Sequence, residues 1–390
     1  MIKIKKNNIR LFIALTLFIL SGHLYLLYGQ TIERILLVVS VPFFLRELVI
    51  TSHITRITKM NALYIIFISC FFIDACIYLT WKPVVYAFGM IYVWYISFKV
   101  IPYVADRIKI YKWFIRLNLL ISYIILIMSV FLPNLSFKNY AGVFGNPNSL
   151  GNYAVITTGM LLPSLLDKLI TEKKNHNNVY LETFFIIVCL FCIIISSCRT
   201  AFITFLFQML FAFIFIIKHI ICDGISDYRF KMNLILLLSA IALFILCFVY
   251  TDFFVILENS IFNKFEHYSN NIFNNRAYMW TEIMNNSRMF EDGNKLFPAS
   301  HNVYFGLIDQ FGYIASLLFL LFVCCNIYKA FVVAIKSTAV CCYVALFTFY
   351  VGITFLCISM TENMLLTNSM LIMFVMMPTV NRKCFSYVDN

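Results

Sequence analysis

Charge is what this sequence lacks. Only 12% of its 390 residues are Asp, Glu, Lys or Arg, against 62% hydrophobic. A soluble domain averages about 25% charged and about 45–50% apolar residues. A water-soluble fold must present a wettable exterior, and half of the charge for one is missing. The same shortage excludes a disordered chain, a coiled coil, a collagen and a small disulfide scaffold. The expected class is all-α, a polytopic integral membrane protein.

Further absences narrow the reading. No small-x-small cleavage site follows the first apolar run, because Ser21-Gly22-His23 leads straight into Leu24-Tyr25-Leu26-Leu27. The run is therefore expected to be a first span rather than a signal peptide. There is no internal repeat of the transporter kind. No P-loop, nucleophile elbow or metal-ligand spacing of His, Asp and Glu is present, so neither a metal nor a cofactor is expected. The 13 cysteines lie mostly inside apolar runs, where cysteine is a small hydrophobe. Cys189-x-x-Cys192 sits mid-span with no polar neighbour to activate a thiol, so it reads as packing rather than redox or metal chemistry.

What is present is a succession of runs long enough to cross a bilayer, which takes roughly 20 mainly apolar residues. About twelve are expected, near 11–28, 35–50, 61–79, 84–98, 117–132, 149–166, 183–198, 201–217, 232–250, 311–327, 338–358 and 365–379. With the N-terminus inside, 22 of the 30 Lys and Arg fall in cytoplasmic segments and 8 outside. That asymmetry puts both termini in the cytoplasm and makes the net charge of +12 a topology signal, with no need for a nucleic-acid partner. The whole chain, 1–390, is expected to be a single polytopic domain. Within it, residues 251–310 form one large extracytoplasmic loop, far longer than the usual connection of about 4–6 residues. Its aromatic content argues against disorder. From Arg276 to about Met289, the spacing of Met279, Trp280, Ile283 and Met284 predicts an amphipathic helix lying on the membrane.

Four polar clusters need explaining, and the topology puts all of them on the outer side. The first is Gly142-Val143-Phe144-Gly145-Asn146-Pro147-Asn148-Ser149. Here Asn148 or Ser149 is expected to cap the next helix, leaving its N-terminus to favour an anion; the plainer alternative is a capped re-entry turn. The second is Ser196-Ser197-Cys198-Arg199-Thr200. An arginine between two apolar helices is either functional or snorkelling to the interface. The third is Asn275-Arg276 with Trp280 one turn on, in an asparagine-rich stretch suited to hydroxyl-rich ligands, although an Asn-rich loop alone is weak support. The fourth is His301-Asn302 with Gly312 beyond, matched by Glu362 in Ser359-Met360-Thr361-Glu362-Asn363. Two arginines, a histidine and a carboxylate suit a diphosphate and an acceptor hydroxyl. Guanidinium holds phosphate oxygens bidentately and keeps its charge, and histidine takes a proton near neutral pH.

Together, Gly-Asn-Pro-Asn-Ser, the Ser-x-x-Arg-Thr-Ala turn, Arg-x-x-x-Trp in the large loop, His-Asn followed by Gly312, and Thr-Glu-Asn resemble the O-antigen ligase and O-antigen polymerase superfamily over roughly residues 140–365. The resemblance implies a metal-independent membrane glycosyltransferase in the bacterial inner membrane, acting at its outer face on glycans carried by undecaprenyl diphosphate. It implies Arg199 and Arg276 as diphosphate ligands and His301 as the loop histidine. Asn148, Asn302 and Trp280 are the further candidate substrate ligands, and His301, Arg276 and Glu362 the candidate catalytic groups, with Glu362 the rival base to His301. Implied partners are the lipid-linked donor and acceptor and a chain-length regulator protein. Ligases resemble His-[Asn/Ser/Gln]-x9-Gly-x2-[Gly/Thr/Tyr]; this chain has His301, Asn302 and Gly312 but Ala315 in the last place. That departure favours a polymerase, extending an O-antigen or capsule glycan on its lipid carrier, over a ligase that delivers it to lipid A–core. A flippase is the third reading, weakened because Asp74 is the sole ionisable residue expected near mid-membrane.

Overall fold

A computed structural model of the chain describes residues 9–28, 32, 35–36, 38–43, 59–96, 98, 108–132, 140–170, 179–223, 276–296, 301–336 and 339–362. The expected spans at 232–250 and 365–379, half of 35–50, the loop stretch 251–275 and both termini lie outside the described residues. Those described hold helix and no strand. In order, the helices are α1 (Ile9–Tyr28), α2 (Lys59–Tyr78), α3 (Lys82–Tyr95), α4 (Ile108–Phe131), α5 (Pro147–Ile170), α6 (Tyr180–Ser196), α7 (Arg199–Asp223), α8 (Arg276–Asn286), α9 (Val303–Lys336) and α10 (Ala339–Ser359). Among them, Lys59–Tyr78, Arg199–Ile221 and Val303–Lys336 are long and apolar enough to cross a membrane. A helix meets its backbone hydrogen bonds internally, which suits apolar runs with no water to turn to. Pro83 and Pro147 fall in the first turns of α3 and α5, where a missing N–H costs nothing.

The chain divides into two compact units. Unit 1 comprises Met1–Asn118, Phe273–Lys329 and Phe355–Asn390. Its core is an aromatic ladder between α2 and α9: Tyr64 meets Phe322 at 4.9 Å between ring centroids, Phe67 meets Phe319 at 5.3 Å, and Phe71 meets Phe311 at 4.6 Å. Numbers rise along α2 as they fall along α9, so the two run antiparallel. Each such pair adds roughly 0.5–1.5 kcal/mol beyond simple burial. At the C-terminal end of α2 the segment after α8 is fastened down. The Tyr78 hydroxyl donates to the Phe290 carbonyl at 2.8 Å, and Thr80 Oγ1 donates to the Asp292 carbonyl at 2.9 Å. Asp74 is fully buried one turn before Tyr78, near Glu291 of that segment.

Unit 2 comprises Leu119–Ile272 and Ala330–Thr354. Here α5 and α6 form an antiparallel hairpin. At one end Lys168 Nζ pairs with Glu182 Oε1 at 2.6 Å, joined by Ser164 Oγ at 3.0 Å. At the other end a Cβ on Gly151 would lie 2.4 Å from Cys198 Cβ, so only glycine admits the close approach of α5 to the turn after α6. Helix α7 runs parallel to α5, and buried Gln208 donates to the Val155 carbonyl at 3.0 Å and to Thr354 Oγ1 at 2.6 Å. Small residues and interhelical hydrogen bonds take over where lipid removes the hydrophobic drive between helices. These ties join ends that the basic-residue count assigns to one side: 168 with 182, and 151 with 196–198.

One expected boundary changes. The tenth span was expected from 311, with loop up to 310, but helix begins at Val303 and breaks at Gly312, where φ is 83° and ψ 176°. Limb 303–311 then folds back along limb 313–336, since Ser316 Oγ donates to the Tyr304 carbonyl at 2.9 Å. A straight helix would hold residues twelve apart about 18 Å from each other. The short limb exists because Val303, Tyr304, Leu307, Ile308 and Phe311 recur at helical spacing and are all buried. Limb 313–336 alone is about 36 Å long, enough for the roughly 30 Å hydrocarbon layer.

Candidate functional site

Five of the seven candidate residues belong to unit 1. Two segments remote in sequence converge there on the turn that follows α10. Arg276, the first residue of α8, donates through Nη1 to the Thr361 carbonyl at 2.9 Å. His301 Nδ1 stands 3.8 Å from Glu362 Oε2, with the histidine side chain 41% exposed and the carboxylate 18%. The side chain of Asn302 donates through Nδ2 to the Met360 carbonyl at 2.8 Å. The site thus pairs a half-buried carboxylate with a water-accessible imidazole, beside a guanidinium whose anchor is a backbone oxygen rather than that carboxylate.

Each side chain is placed by local structure. The main chain of His301 adopts φ +51°, a left-handed conformation rare outside glycine. Such a conformation persists only where its surroundings enforce it, and Asn302 does so by capping α9: its Oδ1 accepts from the amides of Tyr304 at 2.8 Å and Phe305 at 3.1 Å. The nine residues between Asn302 and Gly312 are the short limb itself, bounded by a cap and a break. Gly312 cannot be replaced without movement, since a Cβ there would lie 2.3 Å from the Met289 carbonyl oxygen. Beyond it, the amides of Tyr313 and Ile314 donate to the Arg288 and Met289 carbonyls at 3.1 and 3.4 Å, and Gly293 and Gln310 exchange two hydrogen bonds. Ala315, at the position where the ligase pattern carries Gly, Thr or Tyr, is fully buried. The predicted helix at 276–289 is present as α8, ending at Asn286. Its Ile283 is buried, while Met284, expected on the same face, is exposed.

Two candidates have internal partners that the sequence did not reveal. Trp280 lies flat on Phe305, ring centroids 5.0 Å apart and planes within 2°, so one of its faces is taken. Asn302 is 5% exposed and spends Oδ1 and one Nδ2 hydrogen on the protein itself. Sequence reasoning also missed Tyr304, whose hydroxyl lies 3.0 Å from Ser359 Oγ. Ser359 Oγ is placed to donate both to that hydroxyl and to the Leu356 carbonyl at 2.9 Å. The one available signal was the Asn-x-Tyr spacing at a helix start.

The other two candidates belong to unit 2. Asn148 is exposed in the first turn of α5, and Arg199 begins α7. The expected cap at Asn148 or Ser149 is corrected: Asn146 caps α5, its Oδ1 accepting from the Asn148 amide at 2.8 Å, because Pro147 takes the first helical position and leaves the cap to the residue before it. Ser197, with φ 55°, closes α6, and the tight Gly151 contact brings the start of α5 against this turn. The first two polar clusters therefore share one end of unit 2, and the last two, with Arg276, share one end of unit 1. Asn275 and Asn363 lie outside the described residues. No protein-family model matches the chain, and no curated protein matches it.

Proposed function

We propose that this chain is an inner-membrane glycosyltransferase that polymerises oligosaccharide repeat units carried on undecaprenyl diphosphate, with about twelve spans, both termini in the cytoplasm and the site at the outer face. The observation that carries the reading is the convergence of Arg276, His301 and Glu362 on the 359–362 turn. In the reaction, the acceptor hydroxyl of one lipid-linked unit attacks the anomeric carbon of the donor glycan. The new glycosidic bond forms as the bond from that carbon to the diphosphate oxygen breaks. His301 takes the hydroxyl proton, Glu362 orients the imidazole and stabilises its charged form, and Arg276 neutralises the departing diphosphate. On the sequence resemblance alone, Arg199 is a further diphosphate ligand and Asn148 a further substrate ligand. Trp280, stacked on Phe305, is likewise a further substrate ligand on the sequence reading alone.

The test is a surface-glycan gel of a strain lacking the gene. A product shortened to a single repeat unit supports polymerisation. Unmodified lipid A–core beside intact lipid-linked polymer would assign the chain as a ligase instead. Unaltered surface glycan with no accumulated lipid-linked intermediate would overturn both.

A further inference from the structure

The bonds of Asn302 point to a positioning role distinct from substrate binding. We infer that Asn302 sets the separation of His301 and Glu362, by holding the start of α9 and the 360–362 turn with one planar amide; the catalytic consequence rests on the transferase reading above. Its Oδ1 accepts from the amides of Tyr304 and Phe305, and its Nδ2 donates across 58 residues to the Met360 carbonyl. His301 precedes it directly in a left-handed conformation, and Glu362 follows Met360 by two residues. The histidine and the carboxylate therefore hang on opposite ends of a single buried side chain. Capping alone does not select asparagine, since Asp and Ser cap a helix as well. The bond to Met360 does, because only an amide combines an acceptor with a donor at that reach. The Tyr304–Ser359 bond lies alongside and closes the same gap one turn deeper.

The substitution Asn302→Asp separates the two duties. It is isosteric and keeps the cap, but it turns an oxygen toward the Met360 carbonyl in place of a donor. Two measurements on the full-length chain in lipid nanodiscs test the inference: steady-state transfer from a lipid-linked repeat unit, and hydrogen exchange at the amides of Thr361 and Glu362. These amides both donate to the Ile358 carbonyl and so report the turn. Expected for Asn302→Asp is kcat lower by about 10- to 100-fold, the scale on which misplacing a reacting group by an ångström acts, with KM within about twofold. Exchange at Thr361 and Glu362 should quicken by about tenfold or more, while Tyr304 and Phe305 stay protected by the retained cap. Wild-type kcat overturns the inference. So does a raised KM with kcat intact, which would make Asn302 a substrate ligand, and so does unchanged exchange at the turn. Should the wild type transfer no glycan, the transferase reading fails while the exchange arm still decides whether Asn302 holds the turn.

Discussion

The polar ends of the two units are built by different means. In unit 1 the turn after α10 is held by side chains reaching backbone oxygens: Asn302 to Met360 and Arg276 to Thr361. In unit 2 the turn after α6 is held by proximity, with Gly151 letting α5 press against Cys198, and Asn152 accepting a 3.6 Å hydrogen bond from its thiol. The first construction fixes ionisable groups at set distances, as the 3.8 Å between His301 and Glu362 requires. The second fixes backbones and leaves Arg199 at the start of a helix. Under the proposed transfer reaction this difference becomes a division of labour, with reacting groups on the clamped turn and charge for binding on the packed one.

The largest effect that could break this division concerns His301. Loss of a general base costs typically about 10²–10⁴-fold, and His301→Ala should lower polymer synthesis on that scale while the protein stays in the membrane. Arg276→Ala and Arg199→Ala follow, each expected to lose about 2–4 kcal/mol of transition-state stabilisation, by analogy with removing an oxyanion donor. Lysine at either position should rescue poorly, since a point charge cannot make the forked contact. Polymer length on gels reads all of these variants. Near-normal polymer in Arg199→Ala with loss in Arg276→Ala would reduce the unit 2 arginine to a membrane anchor and sharpen the contrast.

Stability separates the two constructions next. Gly312→Ala places a side chain in a backbone region that is essentially glycine's own and drives it into the Met289 carbonyl, so a loss of about 3 kcal/mol or more is expected. Gly151→Ala overpacks a helix contact that can shift, and should cost about 1–3 kcal/mol. Thermal unfolding in detergent orders the pair, and the reverse order would contradict the clamped-versus-packed distinction. Smaller again is Glu362→Gln, which keeps the shape and loses only the charge facing His301; about tenfold in rate is expected. Full loss there with a mild His301→Ala effect would transfer the base role to the carboxylate. The smallest effect is none: excess chelator should leave transfer by the purified protein unchanged, and a loss restored by Mg²⁺ or Mn²⁺ would sink a mechanism in which arginines carry the leaving group.

Much of the helical layout was legible because apolar runs declare themselves. The expected spans at 61–79, 149–166 and 183–198 fall on α2, α5 and α6. What stayed hidden was placement inside the polar turns. Val303–Phe311 reads as part of an apolar run or as loop, and only the carbonyl of Met289 over Gly312 reveals why the chain breaks there. The bonds of Asn302 to Met360, Tyr304 and Phe305 stayed hidden because a sequence lists donors without their partners. Asn146 was passed over as a cap because its neighbours Asn148 and Ser149 are equally good capping residues, and Pro147 alone decides among them.

The most direct test of the central claim is a double-mutant cycle on His301 and Glu362, read as kcat for transfer from a lipid-linked repeat unit by the purified chain. If the two act as one unit on the clamped turn, the double variant His301→Ala with Glu362→Gln should be no slower than His301→Ala alone, because residues that work together lose their effect together. Losses that multiply, or a His301→Ala variant that transfers at the wild-type rate, would contradict the account.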